Sequence, residues 1–273
     1  MPFHKISLGK LECIALEDNS RIIDLRNELP QVPEELLLSA IKENGGTDFH
    51  AKVGFNNLLI KTEQYLVLID SGTGSDKLIE SLAEAGFHPK DIDYLVITHS
   101  DFDHIGGMDN FAKAKIVFPK TAFDLWTTEI SRNKMIESFQ EVFLKFLTAE
   151  FVAKGVEFRQ HYGSEKLPSL LSRMILVKEE EEFLPGFRMV ATTGHRPDHF
   201  AVEIISEEKT LLHIADGWRH KIQVKHPDWH SIYDSYPDQM AESIGVAIKR
   251  AKEKNAILFG AHFEWPGFVF SDY

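Results

Sequence analysis

An apolar, β-branched run, Tyr94-Leu95-Val96-Ile97, leads into four side chains able to bind metal within six residues: His99, Asp101, Asp103 and His104. The run reads as a buried strand. Placing four such groups side by side at its end is costly unless something pairs with them, and a metal is the usual partner. A loop of this kind constrains the whole chain, because the remaining ligands must be delivered from distant segments.

The sequence offers those ligands in a regular way. Five apolar segments each end in a polar, metal-capable residue: Leu66 to Asp70, Leu95 to His99, Val190 to His195, Leu212 to Asp216 and Leu258 to His262. Sites in layered α/β folds gather where strand ends and their loops converge. The seven candidate ligands are His99, Asp101, Asp103, His104, His195, Asp216 and His262, with Asp70 and His199 behind them. They are too many for one tetrahedral zinc and suit two metals that share a carboxylate and a hydroxide.

The segments between follow a layered α/β pattern. Residues 3–16 and 21–25 predict an opening pair of strands turning at Glu17-Asp18-Asn19-Ser20. Pro33 to Lys42 predicts a helix, with Pro near its first turn and Gly45-Gly46 after its end. Asn57–Lys61 and Tyr65–Ile69 predict a hairpin, and Asp76–Ala85 an amphipathic helix stopped by Gly86. A helix through Phe111 and a strand at Ala114–Phe118 follow the metal loop. Residues 121–155 read as mostly helical and rich in large apolar side chains, suited to a core or to a cap over a pocket. Ile175–Phe183, Phe187–Thr193, Phe200–Ile205 and Thr210–Ala215 predict strands. Residues 217–238 read as a loop, Gln239–Lys254 as a helix and Ala256–Phe259 as the last strand. No linker, low-complexity tract or repeat interrupts residues 1–273, which are expected to form a single domain.

Composition narrows the partners. The net charge of −12, with no Lys/Arg run, speaks against nucleic acid and anionic membrane. It also leaves no basic cluster for a glutathione-type anion. With 20 Phe residues, an aromatic-lined pocket is expected. Cys13 is the only cysteine, so no internal disulfide forms, and its expected role is that of a small buried hydrophobe. The N-terminal residues lack the features of a signal peptide, and no apolar run is long enough to span a bilayer. A cytoplasmic protein is expected, acting on a small molecule with no membrane partner; a homodimer is compatible with this.

The order His99-x-Asp101-x-Asp103-His104, Gly194-His195, Asp216 and His262 resembles the metallo-β-lactamase-fold hydrolases, whose usual motif is His-x-His-x-Asp-His. Leu68-Ile69-Asp70-Ser71-Gly72 and Thr192-Thr193-Gly194-His195-Arg196-Pro197-Asp198-His199 are similar to two further motifs of that superfamily. The segments His226-Pro227-Asp228-Trp229, Asp234 and Ala261-His262-Phe263-Glu264-Trp265-Pro266-Gly267 resemble the branch of methyl parathion hydrolase-like enzymes and N-acyl homoserine lactonases. The resemblance implies a four-layer αββα sandwich with residues 121–155 as a helical cap. It implies one metal at His99, Asp101 and His195, a second at Asp103, His104 and His262, and Asp216 bridging them. Asp70 and His199 would support these ligands.

Asp101 departs from the pattern, standing where the family usually has His. A carboxylate there removes one positive charge from the site and favours harder ions, so iron or manganese join zinc as candidate metals. Lactonases of this superfamily often carry a Tyr shortly after the bridging Asp, but here the neighbourhood reads Gly217-Trp218-Arg219-His220. Asp103 and His220 are the candidates for catalysis, with Arg219 as an alternative to His220 in stabilising an oxyanion; His226 lies in the same loop. The expected activity is hydrolysis by a metal-bridging hydroxide of a neutral, apolar-tailed ester, lactone or phosphotriester. A di-iron redox or oxygen-handling protein and a catalytically silent binding module are the competing readings.

Overall fold

Two β-sheets packed face to face bring the strand ends together in the computed structural model, which describes residues 1–270. The first sheet holds β1 (Phe3–Leu8), β2 (Leu11–Asp24), β3 (His50–Lys61), β4 (Leu66–Ile69), β5 (Tyr94–Val96), β6 (Lys115–Pro119) and β7 (Met174–Val177), paired in chain order. The second holds β8 (Glu182–Leu184), β9 (Phe187–Ala191), β10 (Phe200–Ser206), β11 (Lys209–His213), β12 (Ile257–Phe259) and β13 (Phe268–Val269), in the order β13-β12-β11-β10-β9-β8. The helices are α1 (Leu25–Glu28), α2 (Glu34–Glu43), α3 (Asp76–Glu84), α4 (Phe102–Ile105), α5 (Lys120–Thr127), α6 (Glu129–Phe143), α7 (Ala149–His161), α8 (Leu167–Ser169) and α9 (Pro237–Glu253).

Strand alternation sorts side chains into layers. In β4, Val67 and Ile69 face the second sheet and join Phe187, Met189, Val202 and Ile204 in the central core. Leu68 faces the other way and packs with Leu78 and Leu82 of α3 and Trp126 of α5. On the far side, Met240, Ile244 and Ala247 of α9 cover Ala201, Leu212 and Leu258. Helix, sheet, sheet and helix make the expected four-layer αββα sandwich. Cys13 sits in the central core, where burial pushes its thiol up to about 12. Among the described residues no helix is long and apolar enough to cross a membrane.

Three local expectations are corrected. The opening strands turn at Gly9-Lys10, with Gly9 at φ +57°, whereas Glu17–Asn19 is a bulge within the long β2. The polar run there is not a turn, because Asp18 is fully buried and its carboxylate accepts a hydrogen bond from Thr73 N at 2.7 Å. The strand expected over Ile175–Phe183 is split. β7 closes the first sheet and β8 opens the second, with Glu180 at φ +60° in the connection. The short helix expected before Phe111 is a 3₁₀ turn over Met108–Phe111, and residues 121–155 fall across α5, α6 and α7.

Candidate metal centre

Parallel pairing of β4, β5 and β6, and of β11 and β12, points these strands the same way, so the loops after them open on one edge of the sandwich. Asp70 and Ala215 lie just past their strands with φ of +62° and +48°, so the chain turns sharply there. His99, His104, His195 and His262 arrive at this edge 1–2% exposed, and Asp216 is 3% exposed.

Asp216 is the hub. Its Oδ1 lies 2.9 Å from His104 Nε2, and its Oδ2 lies 2.9 Å from His262 Nε2, 3.4 Å from His195 Nε2 and 4.0 Å from His99 Nε2. Asp103 completes one side, 3.4 Å from His262 Nε2 and 3.8 Å from His104 Nε2. Among the described residues two overlapping groups have their ligand atoms within 4.8 Å of one another: Asp103, His104, Asp216 and His262, and His99, His195 and Asp216.

Each imidazole is held from behind. His104 Nδ1 donates to Asp70 Oδ2 at 2.7 Å, His195 Nδ1 to Asp234 Oδ1 at 2.8 Å, His262 Nδ1 to the Gly54 carbonyl at 2.9 Å and His99 Nδ1 to Thr98 Oγ1 at 3.1 Å. This tautomer leaves every Nε2 lone pair facing inward, the arrangement of metal-ligating histidines. Among the described residues, the Nε2 atoms of His99, His104 and His195 and Asp216 Oδ1 find no hydrogen-bond partner although they are buried. Orphaned acceptors converging on one point fit a cation. His199 stands one layer back, where its Nε2 accepts from Asp216 N at 3.1 Å and fixes the hub. Burial pushes His199 down to about 3, so it stays neutral.

Asp101 sits differently. Its Oδ1 accepts from Arg159 Nη2 at 2.7 Å and Arg196 Nε at 3.1 Å, and its Oδ2 lies 2.7 Å from Arg196 Nη2. The same Oδ2 is 3.4 Å from His195 Nε2 and 3.8 Å from His99 Nε2. Burial alone would raise this carboxyl. Arg196, His195 and Arg159 overcome it and hold the group well below the usual range. The guanidiniums are themselves fixed, Arg159 over the Phe139 ring at 3.6 Å and Arg196 by the carbonyls of His195 and Tyr233, each at 2.6 Å.

A cavity of about 550 Å³ opens over Asp101, Asp103, His195 and Asp216. Its walls are Phe55, Phe102, Phe139, Phe143, Phe146, Phe151 and Phe158, with Arg21, Arg159, Arg196, Arg219 and Tyr233 among them. The arginines correct the expectation that no basic cluster exists: four guanidiniums, far apart in sequence, meet at one pocket. His220 does not line it. Its Nδ1 accepts from Ile222 N at 3.2 Å and caps a 3₁₀ turn, while Arg219 takes the pocket-facing position. Sequence reasoning also passed over Arg159, Glu28 and Tyr233, whose sequence neighbours carry no signal. Arg196 had one, standing directly after His195.

The sequence matches the Metallo-beta-lactamase superfamily over residues 55–262, and the chain belongs to that superfamily. It is 23% identical over 198 residues to an N-acyl homoserine lactonase of Bacillus cereus; the match covers 70% of this chain and 64% of that protein. A probable metallo-hydrolase of Mycobacterium tuberculosis is 23% identical over 187 residues, covering 60% of this chain and 56% of that protein. Among solved structures, the dizinc quorum-quenching lactonase AidC, in complex with a product, superposes with a TM-score of 0.83 at 27% identity, covering 98% of this chain and 92% of that one. The hydrolase AbOPH of the beta lactamase superfamily shares the fold, with a TM-score of 0.80 at 20% identity over 98% of this chain and 92% of that one.

Proposed function

We propose that this protein is a dinuclear metal-dependent hydrolase acting on an ester or lactone with an apolar tail. The observation that carries this reading is the set of four imidazoles pinned at Nδ1 and aimed at Asp216 on the floor of a phenylalanine-walled cavity. His99, His195 and Asp216, with Asp101 Oδ2 beside them, would hold one ion; Asp103, His104 and His262 would share Asp216 to hold the second. Ions bound there would supply Lewis acidity, acidifying water and polarising a carbonyl. Zinc is the metal we favour, as in the dizinc lactonase of similar fold. Arg159 and Arg196 offset the Asp101 charge, which weakens the argument for a harder ion and with it the di-iron reading.

The chain's own residues then divide the work. Asp103 has the most exposed carboxylate of the cluster, at 22%, and faces the cavity. It is placed to take a proton from attacking water and pass it to the leaving oxygen. The phenylalanines of α6 and α7, with Phe146 and Leu147 between them, act as a cap that excludes water and seats the tail.

The test is turnover of esters and lactones of increasing acyl length, before and after chelation and metal return. Each added methylene is expected to raise kcat/KM about fourfold until the wall is filled. A metal-replete protein that hydrolyses no member of the panel sinks the proposal.

A further inference from the structure

Arg219 is held by ion pairs rather than by hydrogen bonds of its guanidinium. It is 5% exposed and lines the cavity three residues after Asp216. Among the described residues its guanidinium makes no hydrogen bond, and Nε is buried without a hydrogen-bond partner. Arg159 donates to Asp101 and to the Gly155 carbonyl, and Arg196 donates through Nε and Nη1 to Asp101 and to backbone carbonyls, while its Nη2 is paired with Asp101 only as an ion. Arg219 has only looser ionic contacts: Nε lies 3.3 Å from Glu28 Oε2 and Nη1 lies 3.6 Å from Asp216 Oδ2. A guanidinium carries five donors in a planar fork and cannot shed its charge, so leaving them unspent against a low-dielectric wall is costly.

The group is nonetheless held in place. Its backbone N–H donates to Gln223 Oε1 at 2.9 Å, and its guanidinium lies 4.8 Å from the Tyr233 ring centroid. Glu28 Oε1 accepts from Tyr233 Oη at 3.0 Å, so the acid, the phenol and the arginine form one fixed unit. Donors fixed beforehand and left unsatisfied beside a reacting centre are the design that stabilises developing negative charge.

We propose that Arg219 is a catalytic residue that donates to the carbonyl oxygen of the acyl group and to the negative charge it gathers on attack, with Glu28 as its positioning residue. This rests on the hydrolase reading. The donor keeps its proton throughout; only the strength of the hydrogen bond changes as charge builds on oxygen. The same fork receives the carboxylate of the released acid, whose tail lies along the phenylalanine wall.

Binding of decanoate and of decanol, by calorimetry on the purified protein with its metal content assayed, separates this inference from the hydrolase reading because no turnover is needed. Arg219→Met is expected to weaken decanoate about 10- to 100-fold and leave decanol unchanged. Arg219→Lys should fall between, and Glu28→Gln should show the same acid-over-alcohol loss at smaller size. On any substrate found, Arg219→Met should lower kcat more than it raises KM at unaltered metal content. Should Arg219→Met fail to fold, Arg219→Lys and Glu28→Gln carry the same comparison. Equal loss of decanoate and decanol, or no loss in any variant, overturns the role of Arg219. A selective loss of decanoate in a protein that hydrolyses nothing leaves the carboxyl subsite standing and removes the hydrolase reading.

Discussion

The two halves of the candidate metal centre are built on different electrostatic plans. Around Asp103, His104 and His262, the cluster is balanced within itself: carboxylates face imidazoles, and Asp70 backs His104. Burial pushes His104 down, but Asp216, Asp70 and Asp103 raise it above its ordinary range. Around His99 and His195, the carboxylate of Asp101 is shared with Arg159 from α7 and with Arg196. One half can therefore be understood from its ligands alone, whereas the other includes a strut to the helices over the pocket. The negative charge that Asp101 brings to this half is thus met by two buried positive ones.

Breaking the self-contained half should have the largest effect. His104→Ala removes an inward acceptor and takes one of three donors from the Asp70 carboxylate, which keeps those of Thr98; hydrolysis should be lost and the metal stoichiometry should fall by at least half, read by elemental analysis. Full metal content and activity in this variant would show that the cluster is not the metal centre.

The arginine-held half should respond in stability. Asp101→His removes the carboxylate and leaves two guanidiniums buried without their counter-ion, at an expected cost of about 3–5 kcal/mol in denaturant unfolding. Adding Arg159→Met should recover part of that loss, because one of the stranded charges goes with it. Equal stability of Asp101→His and the parent would break the contrast between the halves.

Acid should separate the halves more gently. His213 lies behind the His104 half, where burial pushes it down to about 4. The unfolded chain binds that proton near 6.5, so the native state loses stability as pH falls from 6.5 toward 4. The loss should be on the order of 2–3 kcal/mol. Asp101 has its pKa depressed, so its contribution is present above the ordinary 3.8 and is lost only in stronger acid. Hydrogen exchange of the metal-free protein between pH 7 and 5 should therefore rise first around residues 213–216. Equal rates near Asp101 would argue that the halves open as one.

Much of this was legible in the chain. The strand pattern and the spacing of His99 to His104 pointed to a sandwich with one active edge. The ligand candidates do meet there, because a strand end is both a sequence signal and a position in space. Misread segments share a cause: the polar run at Glu17–Ser20 is buried by a partner 55 residues away, and the change of sheet after β7 hides inside a continuous apolar stretch. His220 and Arg219 are neighbours in sequence and both fit an oxyanion role by residue type; their side chains diverge because His220 caps the turn that begins there.

The sequence by itself determined the class of fold, the loop that starts the site and the residues able to bind metal, since these follow from periodicity and from the chemistry of individual side chains. Only the tertiary structure decided the charge around them. Arg21, Arg159, Arg196 and Arg219 are scattered through an acidic chain, and no local pattern marks them as a group. Electrostatic partners are chosen by distance through space, so the setting of Asp101 and the free donors of Arg219 appear only when the chain has folded.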